Sequence, residues 1–135
     1  MGTGSGRRKV LIVEDDLSIR NLLYVLLAGL GCEGDVAYNG RRALAMIERE
    51  RFDAVLLDLR CTNFPADHFL TQIREIRPDL VGRVLAITGE VADAQTLELI
   101  ERHCAQHVPR HRLSSELWER LRTILGLSPS AGTTP

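Results

Sequence analysis

Short runs of apolar residues alternate along the chain with longer amphipathic stretches. The first run, Val10 to Val13, consists of β-branched and aliphatic residues, which is typical of a strand that is buried on both faces. Three acidic residues follow it directly at positions 14–16, so the strand must reach the surface there. Ala54 to Leu57 is a second run of this kind, and it ends in Asp58. The pattern predicts two buried strands that present carboxylates at their carboxyl ends.

The other apolar patterns complete a regular alternation of strands and helices. Strands are predicted at Lys9 to Glu14, Glu33 to Ala37, Ala54 to Leu57, Val84 to Ile87 and Gln106 to Val108. Helices are predicted at Leu17 to about Gly29, from Asn39-Gly40 to about Glu50, at about Asp67 to Ile76, at Ala92 to His103, and at Ser115 to Leu125. Five strands that alternate with five helices predict an α/β protein with a doubly wound parallel sheet and helices on both faces.

The first predicted helix is more apolar than one buried face requires. Its helical stripe consists of Ile19, Leu22, Leu23, Leu26, Leu27 and Leu30. Tyr24 and Val25 fall outside this stripe. Two interpretations remain open: the helix has an unusually wide buried face, or it carries a docking surface for a partner helix.

Composition indicates a single domain of ordinary size. The chain has 135 residues, 44% hydrophobic and 26% charged, with a formal net charge of −1, so it has no overall electrostatic attraction to nucleic acid or membranes. The apolar stretch at residues 22–30 is much shorter than the about 20 residues of a bilayer span. Three widely spaced cysteines favour a reducing compartment, and we expect a cytoplasmic protein. We expect a disordered lead at residues 1–8, one domain at 9–126 and a disordered tail at 127–135.

The acidic residues at the strand ends indicate a cation site. If the first and third strands are neighbours, Asp15 and Asp58 converge at one edge of the sheet, with Glu14 beside them. Clustered carboxylates repel one another unless a cation lies among them. Mg²⁺ is the simplest cation for an all-oxygen site that leaves room for water.

These features resemble a response regulator receiver domain, the phosphorylatable module of two-component signalling. The residues that carry the resemblance are Glu14-Asp15 after the first strand, Asp58 after the third, and Thr88-Gly89 after the fourth. The resemblance extends from about Lys9 to Leu125. It implies a flavodoxin-like or CheY-like (βα)5 fold with strand order 2-1-3-4-5, in which the first and third strands are neighbours.

The resemblance also implies a role for each residue of the site. Asp58 would accept the phosphoryl group. Glu14, Asp15 and Asp58 would bind Mg²⁺, with the backbone carbonyl of Arg60 as a further ligand. The Thr88 hydroxyl would bond a phosphoryl oxygen and move inward when phosphate is present, which converts a local charge into a surface change.

The chain departs from the family pattern after the fifth strand. Receivers usually have Lys-Pro at this place, whereas this chain has Arg110-His111. His107 occupies the position of the aromatic switch residue, and Thr62 stands where a Pro is usual. We expect the Arg110 guanidinium either to reach Asp58 in place of the Lys ammonium or to be turned outward by the preceding proline.

Two functions of different classes follow from the sequence. The first is a phosphoacceptor switch that receives phosphate from a histidine kinase or phosphotransfer protein. Its downstream protein target would bind the face formed by the fourth helix, fifth strand and fifth helix, and a second copy of the chain is a further candidate partner. The alternative is a degenerate receiver that binds proteins without phosphate. Neither function makes the chain an enzyme, and no direct nucleic-acid or membrane partner is expected.

Overall fold

A parallel sheet covered by helices on both faces forms the protein. The computed structural model describes residues 7–60, 65–89 and 93–126. The strands are β1 (Lys9–Val13), β2 (Glu33–Ala37), β3 (Ala54–Asp58), β4 (Val84–Thr88) and β5 (Gln106–Pro109). The helices are α1 (Leu17–Gly29), α2 (Gly40–Arg49), α3 (Ala66–Ile76), α4 (Ala94–His103) and α5 (Leu113–Leu125). Short 3-10 turns lie at Pro78–Leu80 and Arg110–Arg112.

The strand order is β2-β1-β3-β4-β5 and every neighbouring pair is parallel, which confirms the predicted fold. The register brings the carboxyl ends of the three central strands to one edge, because Val13 pairs with Leu57 and Asp58 pairs with Ile87. β5 extends the same edge, since Thr88 pairs with Pro109. Residues that follow these strands therefore meet at a single crevice.

Alternate residues of each central strand point into two separate hydrophobic cores. In β1, Val10 and Ile12 pack with residues of α1 and α5, whereas Leu11 and Val13 pack with residues of α2 and α3. These four residues of β1 are fully buried, as expected for a strand that is covered on both faces. The central strands therefore have little freedom to move, and they hold the crevice at their ends rigidly.

Helix α1 begins immediately behind the acidic residues that follow β1. The Asp16 side chain caps it, because Oδ1 accepts hydrogen bonds from the backbone N–H groups of Ser18 at 2.9 Å and Ile19 at 3.2 Å. The cap fixes the turn that joins β1 to α1, and therefore the direction in which the neighbouring acidic residues point.

Gly34 in β2 allows α1 to pack closely against the sheet. A Cβ atom at this position would lie 3.1 Å from Cδ1 of Leu27, which is tighter than ordinary van der Waals contact. The absence of a side chain at Gly34 therefore sets the separation between α1 and this edge strand.

A few details differ from the sequence-based expectations. Helix α5 begins at Leu113 instead of Ser115, and Trp118 on this helix is half-buried, with the Arg122 guanidinium 5.9 Å from its ring. Burial raises the pKa of the Cys104 thiol to about 12, in keeping with a packed, unreactive cysteine.

Some predicted features lie outside the described residues: residues 1–6 of the predicted lead, the tail at 127–135, Cys61 and Thr62. Within the described ranges, no helix is long and apolar enough to cross a bilayer.

Candidate functional site

Two carboxyl groups are buried side by side at the carboxyl edge of the sheet. Glu14 follows β1 directly, and its backbone N–H donates to the carbonyl of Ala37 at 3.2 Å, which continues the pairing with β2 by one residue. Asp58 is the last residue of β3. Glu14 is 0% exposed and Asp58 is 1% exposed. Carboxylates are rarely buried to this extent without a partner, so this pair marks the site.

The hydrogen bonds of the two carboxyl groups are unequal. Oε1 of Glu14 accepts from the backbone N–H of Asp16 at 3.0 Å, whereas its Oε2 has no hydrogen-bond partner in the part of the chain that the structure describes. Oδ1 of Asp58 accepts from the backbone N–H of Arg60 at 2.8 Å, and Oδ2 forms an ion pair with Nη2 of Arg110. Asp58 is thus satisfied at both oxygens, while Glu14 keeps one buried oxygen that a cation or a proton would satisfy.

Burial and the neighbouring Asp58 carboxyl together raise the pKa of Glu14 from its ordinary value of 4.5 to about 8. Desolvation disfavours the charged form, and two facing carboxyl groups can hydrogen-bond only if one of them carries a proton. The backbone N–H of Asp16 and the Arg110 charge act in the opposite direction, but they are the smaller effects. Without a bound cation, Glu14 is therefore protonated over much of the neutral range.

Arg110 supplies the positive charge of the site. It lies just beyond β5, at the start of a 3-10 turn, and its side chain is 24% exposed. Of the two placements expected from the sequence, the structure shows the first: the guanidinium reaches Asp58. Its Nε is buried and has no hydrogen-bond acceptor among the described residues, so one donor of the guanidinium remains unused.

The other predicted residues border the same crevice. Thr88 ends β4 and is buried, and Asp15 is exposed beside Glu14. Arg60 is exposed, and its side chain passes close to Gly89, where an added Cβ would lie 3.6 Å from its Cδ. The loops that follow β1, β3 and β4 therefore meet at the same edge of the sheet.

Two backbone contributions to the site were not anticipated. The N–H of Asp16 holds the Glu14 carboxyl, and the N–H of Arg60 holds the Asp58 carboxyl. In each case the donor lies two residues after the acid, which is a local pattern common for acidic side chains at turns. This spacing was visible in the sequence as a turn signal, but its effect on the orientation of the acids was not.

The oxygen atoms present suit a hard divalent cation. The described residues contain no group of three His, Cys, Asp or Glu side chains close enough to hold a metal ion. Mg²⁺ does not require such a group, because it is commonly held by one or two carboxylates while waters complete its octahedron. The unpartnered Oε2 of Glu14 and the facing carboxyl of Asp58 fit that requirement.

The chain is similar in sequence to response regulators. A family model described as the response regulator receiver domain matches residues 10–122. Transcriptional regulatory protein ZraR from Salmonella typhimurium is 36% identical over 89 residues, covering 66% of this chain and 20% of ZraR. Response regulator MprA from Mycolicibacterium vanbaalenii is 27% identical over 117 residues, covering 87% of this chain and 50% of MprA. The chain thus spans half or less of the length of these relatives.

Solved structures show the same fold. Response regulator TrrA from Thermotoga maritima, in complex with Mg²⁺ and BeF, has a TM-score of 0.75 and 25% identity, covering 87% of this chain and 99% of TrrA. The receiver domain of a sensor histidine kinase from Pseudomonas aeruginosa, with a magnesium ion in its active-site cleft, has a TM-score of 0.80 and 21% identity. That match covers 90% of this chain and 99% of the other.

The raised pKa of Glu14 predicts a pH dependence of stability in the absence of divalent cations. Between pH 4.5 and about 8 the folded protein retains a proton on Glu14 that the unfolded chain releases, so the free energy of unfolding falls as the pH rises. One such proton changes the free energy of unfolding by at most about 1.4 kcal/mol per pH unit. Urea denaturation with a chelator present, at several pH values in this window, measures the slope.

The variant Glu14→Gln should flatten this slope, because its amide does not titrate. Glu75→Gln is the matched control: Glu75 is exposed on α3, and its replacement should leave the slope unchanged. If Glu14→Gln and the parent protein lose stability equally between these pH values, Glu14 is not the group that retains the proton.

Proposed function

Because the chain belongs to the response regulator receiver family, we propose that it acts as a phosphoacceptor switch in two-component signalling, with phosphorylation on Asp58. The observation that carries this proposal is the buried Glu14–Asp58 carboxyl pair with a cationic side chain, Arg110, bound to Asp58. A site of this composition can neutralise an incoming phosphoryl group and accept it on a carboxylate.

Each residue has a role in the proposed transfer. Glu14, Asp15, Asp58 and the backbone carbonyl of Arg60 would hold Mg²⁺, which reduces the repulsion between the acceptor carboxylate and the phosphoryl oxygens. An Asp58 oxygen forms the new P–O bond while the bond from phosphorus to the donor nitrogen breaks, and the donor imidazole takes up a proton. The Arg110 guanidinium pairs with the Asp58 carboxylate before transfer and with the phosphoryl oxygens after it. Its unused Nε–H is a further donor for these oxygens. Thr88 would donate its hydroxyl hydrogen to a phosphoryl oxygen.

The alternative is an interaction module that works without phosphate. The Asp58–Arg110 ion pair favours this second candidate, since the acceptor carboxylate already has donors at both oxygens. A charge pair that is satisfied in this way can hold the unphosphorylated conformation as the active one. The two functions differ in whether Asp58 is modified.

Mass spectrometry after incubation with a small phosphodonor tests the proposal. We expect a single phosphorylation that requires Mg²⁺ and is absent from Asp58→Asn. Asp35→Asn, the same chemical change on the half-buried Asp35 of β2, should retain it. If the parent chain takes up no phosphate with Mg²⁺ present, the phosphoacceptor function is wrong and the phosphate-independent module is favoured.

Substitutions of Arg110 test whether this residue supports the response to phosphorylation or only holds the unphosphorylated conformation. A charge-assisted hydrogen bond of this kind contributes about 1.5–3 kcal/mol, so its loss should be measurable. We expect Arg110→Lys to preserve the NMR shift changes that follow phosphorylation, and Arg110→Ala to abolish them. Arg112→Ala removes an exposed arginine two residues away that pairs with Glu116 at 3.2 Å, and it should behave as the parent does. Identical behaviour of Ala, Lys and the parent at position 110 would remove Arg110 from the site.

The proposed phosphodonor surface is the outer face of α1. Leu17, Tyr24 and Val25 are 59%, 54% and 67% exposed, so the apolar residues outside the core stripe lie on the surface. Of the two interpretations of this helix, a docking surface is therefore favoured over a wide buried face. A helix of a histidine kinase or phosphotransfer protein could pack on this strip, because it starts next to the acidic site.

Matched valine substitutions test this surface. We expect Val25→Glu to slow phosphotransfer from a phosphohistidine-bearing partner at least about tenfold, because a buried unpaired charge is costly, while phosphorylation by a small phosphodonor is unchanged. Val81→Glu is the control: Val81 is 46% exposed in the turn between α3 and β4. Equal rates for the two variants would show that α1 is not the docking helix.

The proposed output surface is the α4-β5-α5 face. Leu97 on α4 is 47% exposed, and Nη1 of Arg120 on α5 donates to Oε1 of Gln106 in β5 at 3.3 Å. Glu116 joins Arg112 and Arg120 in an ion-pair network along α5, at 3.2 and 3.3 Å. A face with an exposed apolar residue on one helix and a band of charges on the other is suited to a protein partner, including a second copy of the chain.

A further inference from the structure

A second concave site lies at the opposite edge of the sheet from Asp58. It is a cavity of about 290 Å³, which we call the basic pocket, lined by Arg8, Arg51, Phe52, Asp53, Asp79 and Arg83. Asp53 immediately precedes β3 and Asp58 ends it, so about 16 Å of strand separates the two sites. The basic pocket is thus independent of the acidic site and of the function proposed for it.

The arginine side chains of the basic pocket form few hydrogen bonds or ion pairs with the described residues. The side chains of Arg8 and Arg51 form no hydrogen bond or ion pair with any described residue, although two aspartates line the same cavity. Arg83 is anchored by a bond from Nη1 to the backbone carbonyl of Asp53, at 3.1 Å, which leaves its charge without a carboxylate partner. Three arginines that line one cavity bring like charges near one another, and an anion between them would relieve their repulsion.

The aspartates offset only part of this charge, because three arginines and two aspartates line the pocket. Oδ2 of Asp53 accepts from the backbone N–H of Lys9 at 2.8 Å, so this carboxylate is directed to the start of β1. Asp79 is exposed in the turn that precedes β4 and has no ion pair with a described residue. It is available to accept a hydrogen bond from a hydroxyl group of a bound ligand.

We propose that the basic pocket binds the phosphate group of a small phosphate ester, with the Arg8, Arg51 and Arg83 guanidiniums as donors. Arginine forks match phosphate oxygens in geometry and charge. The cavity lies at the small end of the range for ligand sites, which suits a mononucleotide or a sugar phosphate. The carboxylate of Asp79 at the rim suits an ester whose organic part carries hydroxyl groups.

The test is an NMR titration of the full chain, free of divalent cations, with adenosine monophosphate, adenosine and inorganic phosphate. We expect saturable amide shifts at Arg8, Phe52 and Arg83 with adenosine monophosphate, weaker ones with inorganic phosphate, and none with adenosine. Shifts confined to Asp58 and Thr88, or equal shifts with adenosine, would overturn the proposal.

Charge-matched variants complete the test. Arg51→Gln should weaken binding of adenosine monophosphate about tenfold, since charged hydrogen bonds of this type are worth more than about 1.4 kcal/mol. Arg49→Gln removes an exposed arginine of α2 that does not line the pocket, and it should have no effect. Since Arg51 is exposed and its side chain bonds to none of the described residues, its replacement leaves the fold intact. Equal affinity of the two variants, whether both are weakened or both unchanged, contradicts the assignment.

Discussion

Two acidic side chains share one water-poor crevice, and much of the local structure serves to hold them there. Glu14 and Asp58 end neighbouring strands that are packed on both faces, so neither can turn away toward solvent. Such burial is unfavourable for carboxylates unless donors or cations compensate it. Two backbone N–H groups and Arg110 provide part of that compensation. One oxygen of Glu14 remains without a hydrogen-bond partner among the described residues.

Replacing the usual lysine by arginine changes this balance. A lysine ammonium is a compact charge on a flexible stem, whereas a guanidinium is planar and presents donors in fixed directions. In this chain one terminal nitrogen of Arg110 pairs with Asp58 while Nε, deeper in the site, is left unused. The orientation that satisfies the carboxylate therefore does not use the whole guanidinium. A bulkier anion at Asp58 would engage more of it, so the substitution is compatible with phosphate binding.

The fold followed from the sequence because its signals are local and periodic. Runs such as Val10 to Val13, which have no polar position, are compatible with a buried parallel strand, and the N-cap at Asp16 marks the next helix. The positions of the acids followed from the strand ends. The direction of the Arg110 side chain did not, because it depends on how the turn after β5 is packed. The basic pocket could not be predicted from the sequence either. Arg8, Arg51 and Arg83 are far apart in the chain, and the strand order of the sheet brings them together.

Gly34 in the edge strand β2 lies against helix α1, which begins beside the acidic crevice. A side chain there would press on Leu27, and the neighbouring atoms would have to give by a few tenths of an ångström. The contact atom is the end of the Leu27 side chain, and the first turn of the same helix is tied through the backbone N–H of Asp16 to the Glu14 carboxyl. Residue 34 thus acts as a spacer for a helix whose other end borders the acidic crevice.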